Sequence, residues 1–169
     1  SFPTRRSSDL GKEEVGNIAQ SGIGQSGVLS SPIQMALVAS AIANDGVMME
    51  PNIVKEIVNS EGKAVKEFKP EVATTVTTPE NAQVLKEYMK AVVNEGTGRA
   101  ASLWGVQVSG KTGTADTDAG DKIPHSWFAG FAGYDNPEIA FAIIVEQGGN
   151  DSYNASGMAG DLVDAFFKR

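Results

Sequence analysis

Apolar residues recur at helical spacing in "SSPIQMALVASAIANDG", residues 30–46, where Ile33, Ala36, Leu37 and Ala41 fall on one face. The pattern predicts a helix buried on one side. Ser31 supplies the N-cap, Pro32 suits the first helical position and Gly46 suits a left-handed exit. The many alanines imply close approach to a neighbouring element. A second helix is predicted from Thr78 as cap and Pro79 in the first turn, with Ala82, Leu85, Met89, Val92 and Val93 as its stripe and Gly96 as its end. A third closes the chain in "SGMAGDLVDAFFKR", with Met158, Leu162, Ala165 and Phe166 repeating and Lys168 and Arg169 at the electronegative end.

Between these helices the period changes to two. "NIVKEIV" and "KAVKEF" read as short strands around the turn "NSEGK". Residues 106–115, 126–134 and 138–147 read as three more strands. The last two flank the tight-turn sequence "YDNPE" and form an antiparallel hairpin. "EIAFAIIVE" is apolar on nearly every residue, which predicts a central strand covered on both sides. Residues 11–30 and "EGTGRAA" read as loops. The fold class expected is an α/β (α+β) sandwich, an antiparallel sheet with helices packed on it.

Composition narrows the chemistry. A 169-residue chain with 41% hydrophobic and 21% charged residues suits one globular domain or part of a larger one. Its net charge of −7 argues against general nucleic-acid binding, which requires clustered Lys and Arg. Without cysteine there are no disulfides, thiolate metal sites or cysteine nucleophiles, and the single His125 makes a histidine metal cage untenable. Apolar runs such as "AFAIIV" are too short to cross a bilayer, and no signal-peptide pattern is visible. The first ten residues, "SFPTRRSSDL", are polar and aperiodic and resemble one frame of a translated sequencing adapter. Residues 1–10 are therefore expected to be non-native, with the gene beginning near Gly11; a disordered natural terminus is the alternative.

The segment "GVQVSGKTGTADTDAG", residues 105–120, fits two chemistries. Gly105, Gly110, Lys111 and Thr112 satisfy the phosphate-loop pattern G-x-x-x-x-G-K-[ST], whereas Lys111-Thr112-Gly113 is the K-T-G of penicillin-reactive serine acyl-transferases. A phosphate loop needs glycine-like backbone before the lysine and a helix beginning at it. Here Val106, Gln107, Val108 and Ser109 alternate as in a strand, and "GTADTDAG" cannot open a helix. The phosphate loop is rejected. So is "GIGQSG", 22–27, as a dinucleotide loop, because no strand precedes it and the next helix begins near Ser31, too late. On a strand edge beside a cleft, Lys111 offers charge to a substrate carboxylate and Thr112 a hydroxyl donor, Gly113 permits close backbone approach, and an extended peptide can add alongside.

"SGIGQSGVLSSPIQMALVASAIANDGVMMEP", "EGTGRAA", "VSGKTGTA" and "HSWFAGFAGYDNPEIAFAIIVE" follow one another as in penicillin-binding proteins, and the chain over residues 11–169 resembles the C-terminal portion of their class B transpeptidases. The resemblance implies an acyl-transfer enzyme in which a serine attacks a D-Ala–D-Ala stem peptide and passes the acyl group to an amine, with β-lactams mimicking the donor. It implies that Lys111, Thr112, Gly113 and Thr114 are catalytic, that Lys111 and Thr112 bind the terminal carboxylate, and that the Thr114 N–H joins the oxyanion hole, worth about 3–4 kcal/mol of barrier. One of Trp127 and Phe128 lines the cleft and the other the core, which the sequence leaves open; Trp127 is carried as the substrate-binding candidate. No cofactor or metal is implied, and no nucleic acid.

The family also needs S-x-x-K and S-x-N upstream of K-T-G. Ser60-Glu61-Gly62-Lys63 matches the first but sits in a turn, and Ser152-Tyr153-Asn154 matches the second but follows K-T-G. Both read as coincidences, so the nucleophile and any membrane anchor are expected upstream, on a parent at the extracytoplasmic face of the bacterial plasma membrane. His125 reads as a surface or strand-capping residue and Trp104 as a packing one. Asp116, Asp118 and Asp121 mimic a calcium loop but have Gly120 where an oxygen ligand belongs. A D,D-carboxypeptidase or β-lactamase, a β-lactam sensor and a division scaffold are the alternatives.

Overall fold

The computed structural model describes residues 15–25, 28–116, 123–149 and 154–168. In chain order its elements are α1 (Val15–Ser21), α2 (Pro32–Ala43), β1 (Val47–Met49), β2 (Glu56–Val58), β3 (Ala64–Glu67), β4 (Val72–Thr75), α3 (Pro79–Asn94), a 3-10 turn (Arg99–Ala101), β5 (Val108–Ala115), β6 (His125–Ala132), β7 (Ile139–Val145) and α4 (Ala155–Phe167). The expectation for residues 1–10 lies outside the described residues.

Cap chemistry sets where α2 begins and ends. The Gln34 N–H donates to Ser31 Oγ at 3.4 Å, and the Ser31 N–H donates to Gln34 Oε1 at 2.8 Å, a reciprocal capping box. The helix leaves through Asp45 (φ 52°) and Gly46 (φ 89°), whose N–H donates to the Ala41 carbonyl at 2.8 Å. Glycine is required there for a second reason: a Cβ on Gly46 would lie 2.3 Å from the Thr77 carbonyl oxygen. Asp45 also accepts an ion pair from buried Lys86 at 2.7 Å, fastening the end of α2 to α3.

The face that α3 buries is Ala82, Lys86, Met89 and Val93, so the expected stripe is corrected at Leu85, which is 39% exposed. Lys86 takes that place because its alkyl stem packs while its ammonium reaches Asp45. The correction to α4 is larger. Met158 and Leu162 point outward, and the buried stripe is Ala155, Ser156, Ala159, Gly160 and Val163. Small residues let α4 come close: a Cβ on Gly160 would lie 3.1 Å from the Ala100 carbonyl of the 3-10 turn.

Strands β5, β6 and β7 form one antiparallel sheet in that order, with Lys111 opposite Ala129 and Gly113 opposite Trp127. One face carries Val108, Phe128, Ala132 and Phe141, which pack with Ala155, Ala159 and Val163 of α4 and with Val93 and Ala101. The Phe128 and Phe141 rings stack with centroids 6.1 Å apart. The opposite face carries buried Ser109 and Phe131, and α2 lies against β6 and β7 there. The sandwich of helix, antiparallel sheet and helix is the architecture expected. The middle strand, however, is β6, and β7 is half-buried with one partner among the described residues.

Three further elements, α1, β1 and β4, were not expected. Residues 15–21 form a helix rather than loop, and β1 pairs with β4, with Val47 opposite Thr75. That pairing joins segments more than twenty residues apart, which no local pattern reveals. The β2–β3 hairpin was expected; its turn holds Gly62 at φ 78° and is closed by Asn59 Oδ1 accepting from the N–H of Glu61 and of Lys63 at 3.0 Å. Among the described residues, no helix is long and apolar enough to cross a membrane.

The turn between β6 and β7 is anchored to α3 through Tyr134. Its hydroxyl donates to Glu87 Oε1 and accepts from Gln83 Nε2 at 3.0 Å, while Lys90 Nζ lies 4.3 Å from the ring centroid. The hydrogen bond to Glu87 raises the phenol pKa above its ordinary value. This anchoring is therefore complete below the ordinary tyrosine value of about 10 and is lost as pH rises through the raised value. Alkaline unfolding should thus begin earlier in Tyr134→Phe, which has no hydroxyl to share with Glu87, when followed by far-ultraviolet circular dichroism. Identical alkaline midpoints would remove the anchor.

Candidate active site

Strand β5 runs from core to margin within eight residues. Val108, Ser109 and Gly110 are buried, Lys111 and Thr114 are exposed, and Thr112 and Gly113 are half-buried. Only β6 pairs with it among the described residues. Lys111 therefore lies on a straight sheet edge and does not launch a helix, which settles the phosphate-loop question against it. Gly105, the would-be first glycine of that loop, sits at φ 83° beside Trp104 in a tight turn closed by a bridge between Leu103 and Val106.

Side chains from elsewhere in the chain meet this edge. Lys111 Nζ donates to the Thr112 carbonyl at 2.8 Å. Gln25 Nε2 donates to the Thr114 carbonyl at 3.0 Å, bringing the segment after α1 onto the same margin. Thr97, from the loop after α3, places its Oγ1 2.7 Å from Thr112 Oγ1. Neither Gln25 nor Thr97 was singled out in the sequence, where they stand 89 and 15 residues from their partners. The edge thus presents the Lys111 ammonium from one face of β5 and the Thr112 hydroxyl from the other, the charge and the donor an extended anionic peptide needs.

The remaining candidates separate cleanly. Phe128 is fully buried, and Trp127 is half-buried on the opposite face, the face of Lys111 and Gly113. Gly113 has a packing reason as well: a Cβ there would lie 3.1 Å from Trp127 Cβ. His125 Nδ1 accepts from the Gln147 N–H at 2.9 Å, the strand-capping role expected of it. Trp104 is 98% exposed, which corrects the packing role read from the sequence: it occupies the tip of the turn between Leu103 and Val106. Ser60 and Lys63 flank the β2–β3 turn, not a buried helix. Ser152, Tyr153, Asp118, Gly120 and Asp121 lie outside the described residues, and Asn154 caps α4 by accepting from the Ser156 N–H at 3.0 Å. No cluster of metal-ligating side chains occurs among the described residues.

Comparison with known proteins agrees with this geometry. The profile of the penicillin binding protein transpeptidase domain matches residues 1–168. The chain is 36% identical to the peptidoglycan D,D-transpeptidase PbpA of Mycolicibacterium smegmatis, over 84% of this chain and 29% of that protein. To the peptidoglycan D,D-transpeptidase MrdA of Haemophilus influenzae it is 31% identical, over 91% of this chain and 26% of that one. Among solved structures, the imipenem acyl-enzyme complex of penicillin-binding protein A from M. tuberculosis superposes with a TM-score of 0.79 at 27% identity, covering 89% of this chain and 34% of that one. The chain thus spans under a third of the length of these two curated relatives. A K-T-G strand at an open sheet edge, between helices on both faces, and a profile match over nearly every residue establish that this chain belongs to the penicillin-binding protein transpeptidase domain family.

Proposed function

We propose that residues 11–169 are the C-terminal part of a class B peptidoglycan D,D-transpeptidase acting at the extracytoplasmic face of the bacterial plasma membrane. The observation that carries this reading is the Lys111–Thr114 segment on the one-sided edge of β5. In the complete enzyme an upstream serine Oγ attacks the carbonyl carbon between the two D-alanines of a stem peptide. The terminal D-alanine leaves with a proton, an ester to the serine remains, and an amine of a second strand takes the acyl group and releases the serine. Lys111 and the Thr112 hydroxyl hold the terminal carboxylate, the Thr114 N–H helps stabilise the oxyanion, and Trp127 forms part of the substrate wall. A β-lactam enters by the same route and stays as the acyl-enzyme.

That β7 pairs only with β6 among the described residues supports the assignment to part of a domain. A strand apolar on both faces with one partner is a site that demands another strand. Fluorescent penicillin provides the test. The complete protein takes up label at a serine upstream of Gly11, while the 169-residue chain takes up none. Label on one of the chain's own serines, lost when that serine is mutated, would overturn the fragment reading; an unlabelled complete protein would overturn the function.

A further inference from the structure

Each threonine hydroxyl carries one proton and two lone pairs, so in the 2.7 Å contact between Thr97 Oγ1 and Thr112 Oγ1 only one of them donates. Which one donates decides what Thr112 can do. If its proton points at Thr97, none remains for a substrate carboxylate; if Thr97 donates, the Thr112 proton is turned outward. The loop holding Thr97 has little slack. Its flanking Gly96 and Gly98 N–H groups donate back to the end of α3, at 3.1 Å to Ala91 and Val92 and at 2.9 Å to Val92. A Cβ on Gly98 would sit 3.1 Å from Val92 Cγ1 and 3.3 Å from Phe128 Cε2. Thr97 is thus held between two glycines that are tied to the end of α3, the second of them packed close to the Phe128 ring.

Building on the transpeptidase reading, we infer that Thr97 is a positioning residue: it donates to Thr112 and so aims the Thr112 proton at the substrate's carboxylate. The hydroxyls then form a chain ending on the anion, in which each donor polarises the next. Thr97 itself touches no substrate. Its contribution should appear only with ligands that present the carboxylate.

The test uses the complete protein and two probes, benzylpenicillin and its methyl ester, which lacks the anion. Thr97→Val keeps the shape and removes the hydroxyl; Thr97→Ser keeps the hydroxyl. With benzylpenicillin, the second-order acylation rate of Thr97→Val should fall about five- to tenfold, the worth of one hydrogen bond, and Thr97→Ser should stay within about twofold. With the ester, Thr97→Val should stay within about twofold of the unmodified protein, and adding it to Thr112→Val should slow acylation no further. Should valine disturb the fold, Thr97→Ala carries the same comparison. Equal losses on both probes, or no loss on either, overturn the positioning role alone. Absence of acylation in the unmodified protein overturns the functional reading and this role with it.

Discussion

Gly110→Ala lowers the unfolding free energy by about 3 kcal/mol, the upper range for overpacking a filled core. The added Cβ would lie 2.3 Å from Phe128 Cζ and 2.4 Å from Cε1, with the Ala129 carbonyl oxygen at 3.0 Å. None of these neighbours can yield easily. Phe128 is fully buried and stacks on Phe141, and the Ala129 carbonyl belongs to the strand opposite. Gly130, paired with Gly110, is equally filled, since a Cβ there would meet the Ser109 carbonyl at 2.4 Å and Phe128 Cε1 at 3.0 Å. Two facing glycines are what let a phenylalanine ring lie across the sheet. Because the cost lies in the contact itself, Phe128→Leu should relieve it. The double variant should be more stable than the sum of the single changes allows, by about 1 kcal/mol or more. Denaturant titration followed by circular dichroism reads all three; strict additivity would show that the ring is not the obstacle.

How much of this was legible in the sequence depends on the range of the interaction. The caps at Ser31 and Thr78, the exit at Gly46 and the β6–β7 hairpin are governed by residues within a few positions of one another, and local chemistry announces them. The strand through Lys111 was readable for the same reason, from alternation ahead of it and helix-averse residues after it. The face of α4 was misread because large apolar residues draw the eye, while close packing against the 3-10 turn selects small ones such as Ala159 and Gly160. The β1–β4 pair, Gln25 on Thr114 and Thr97 on Thr112 are made by tertiary folding and leave no local trace. The edge residues of the site were thus visible, and the groups that brace them were not.

Lys111→Ala in the complete protein should slow acylation by benzylpenicillin at least about 100-fold while leaving the fold intact. The position is exposed and faces Ala129 across the ladder, so truncation removes no core contact, and its effect on stability should stay within about 0.5 kcal/mol. The chemical loss is another matter. Lys111 Nζ rests on the Thr112 carbonyl, a neutral acceptor, so that contact leaves its positive charge uncompensated at the strand edge. A charge-assisted hydrogen bond to a carboxylate is worth about 1.5–3 kcal/mol, and a role in proton transfer adds to it. Lys111→Arg separates the two contributions. It retains the charge, but it replaces a compact ammonium with a planar fork that deprotonates far less readily, so it should recover binding of the carboxylate more than the rate of acylation. Measuring the acylation rate against penicillin concentration resolves affinity from the limiting rate. If Lys111→Ala acylates within about threefold of the unmodified protein, the K-T-G strand is not the substrate-holding edge, and the functional reading built on it fails.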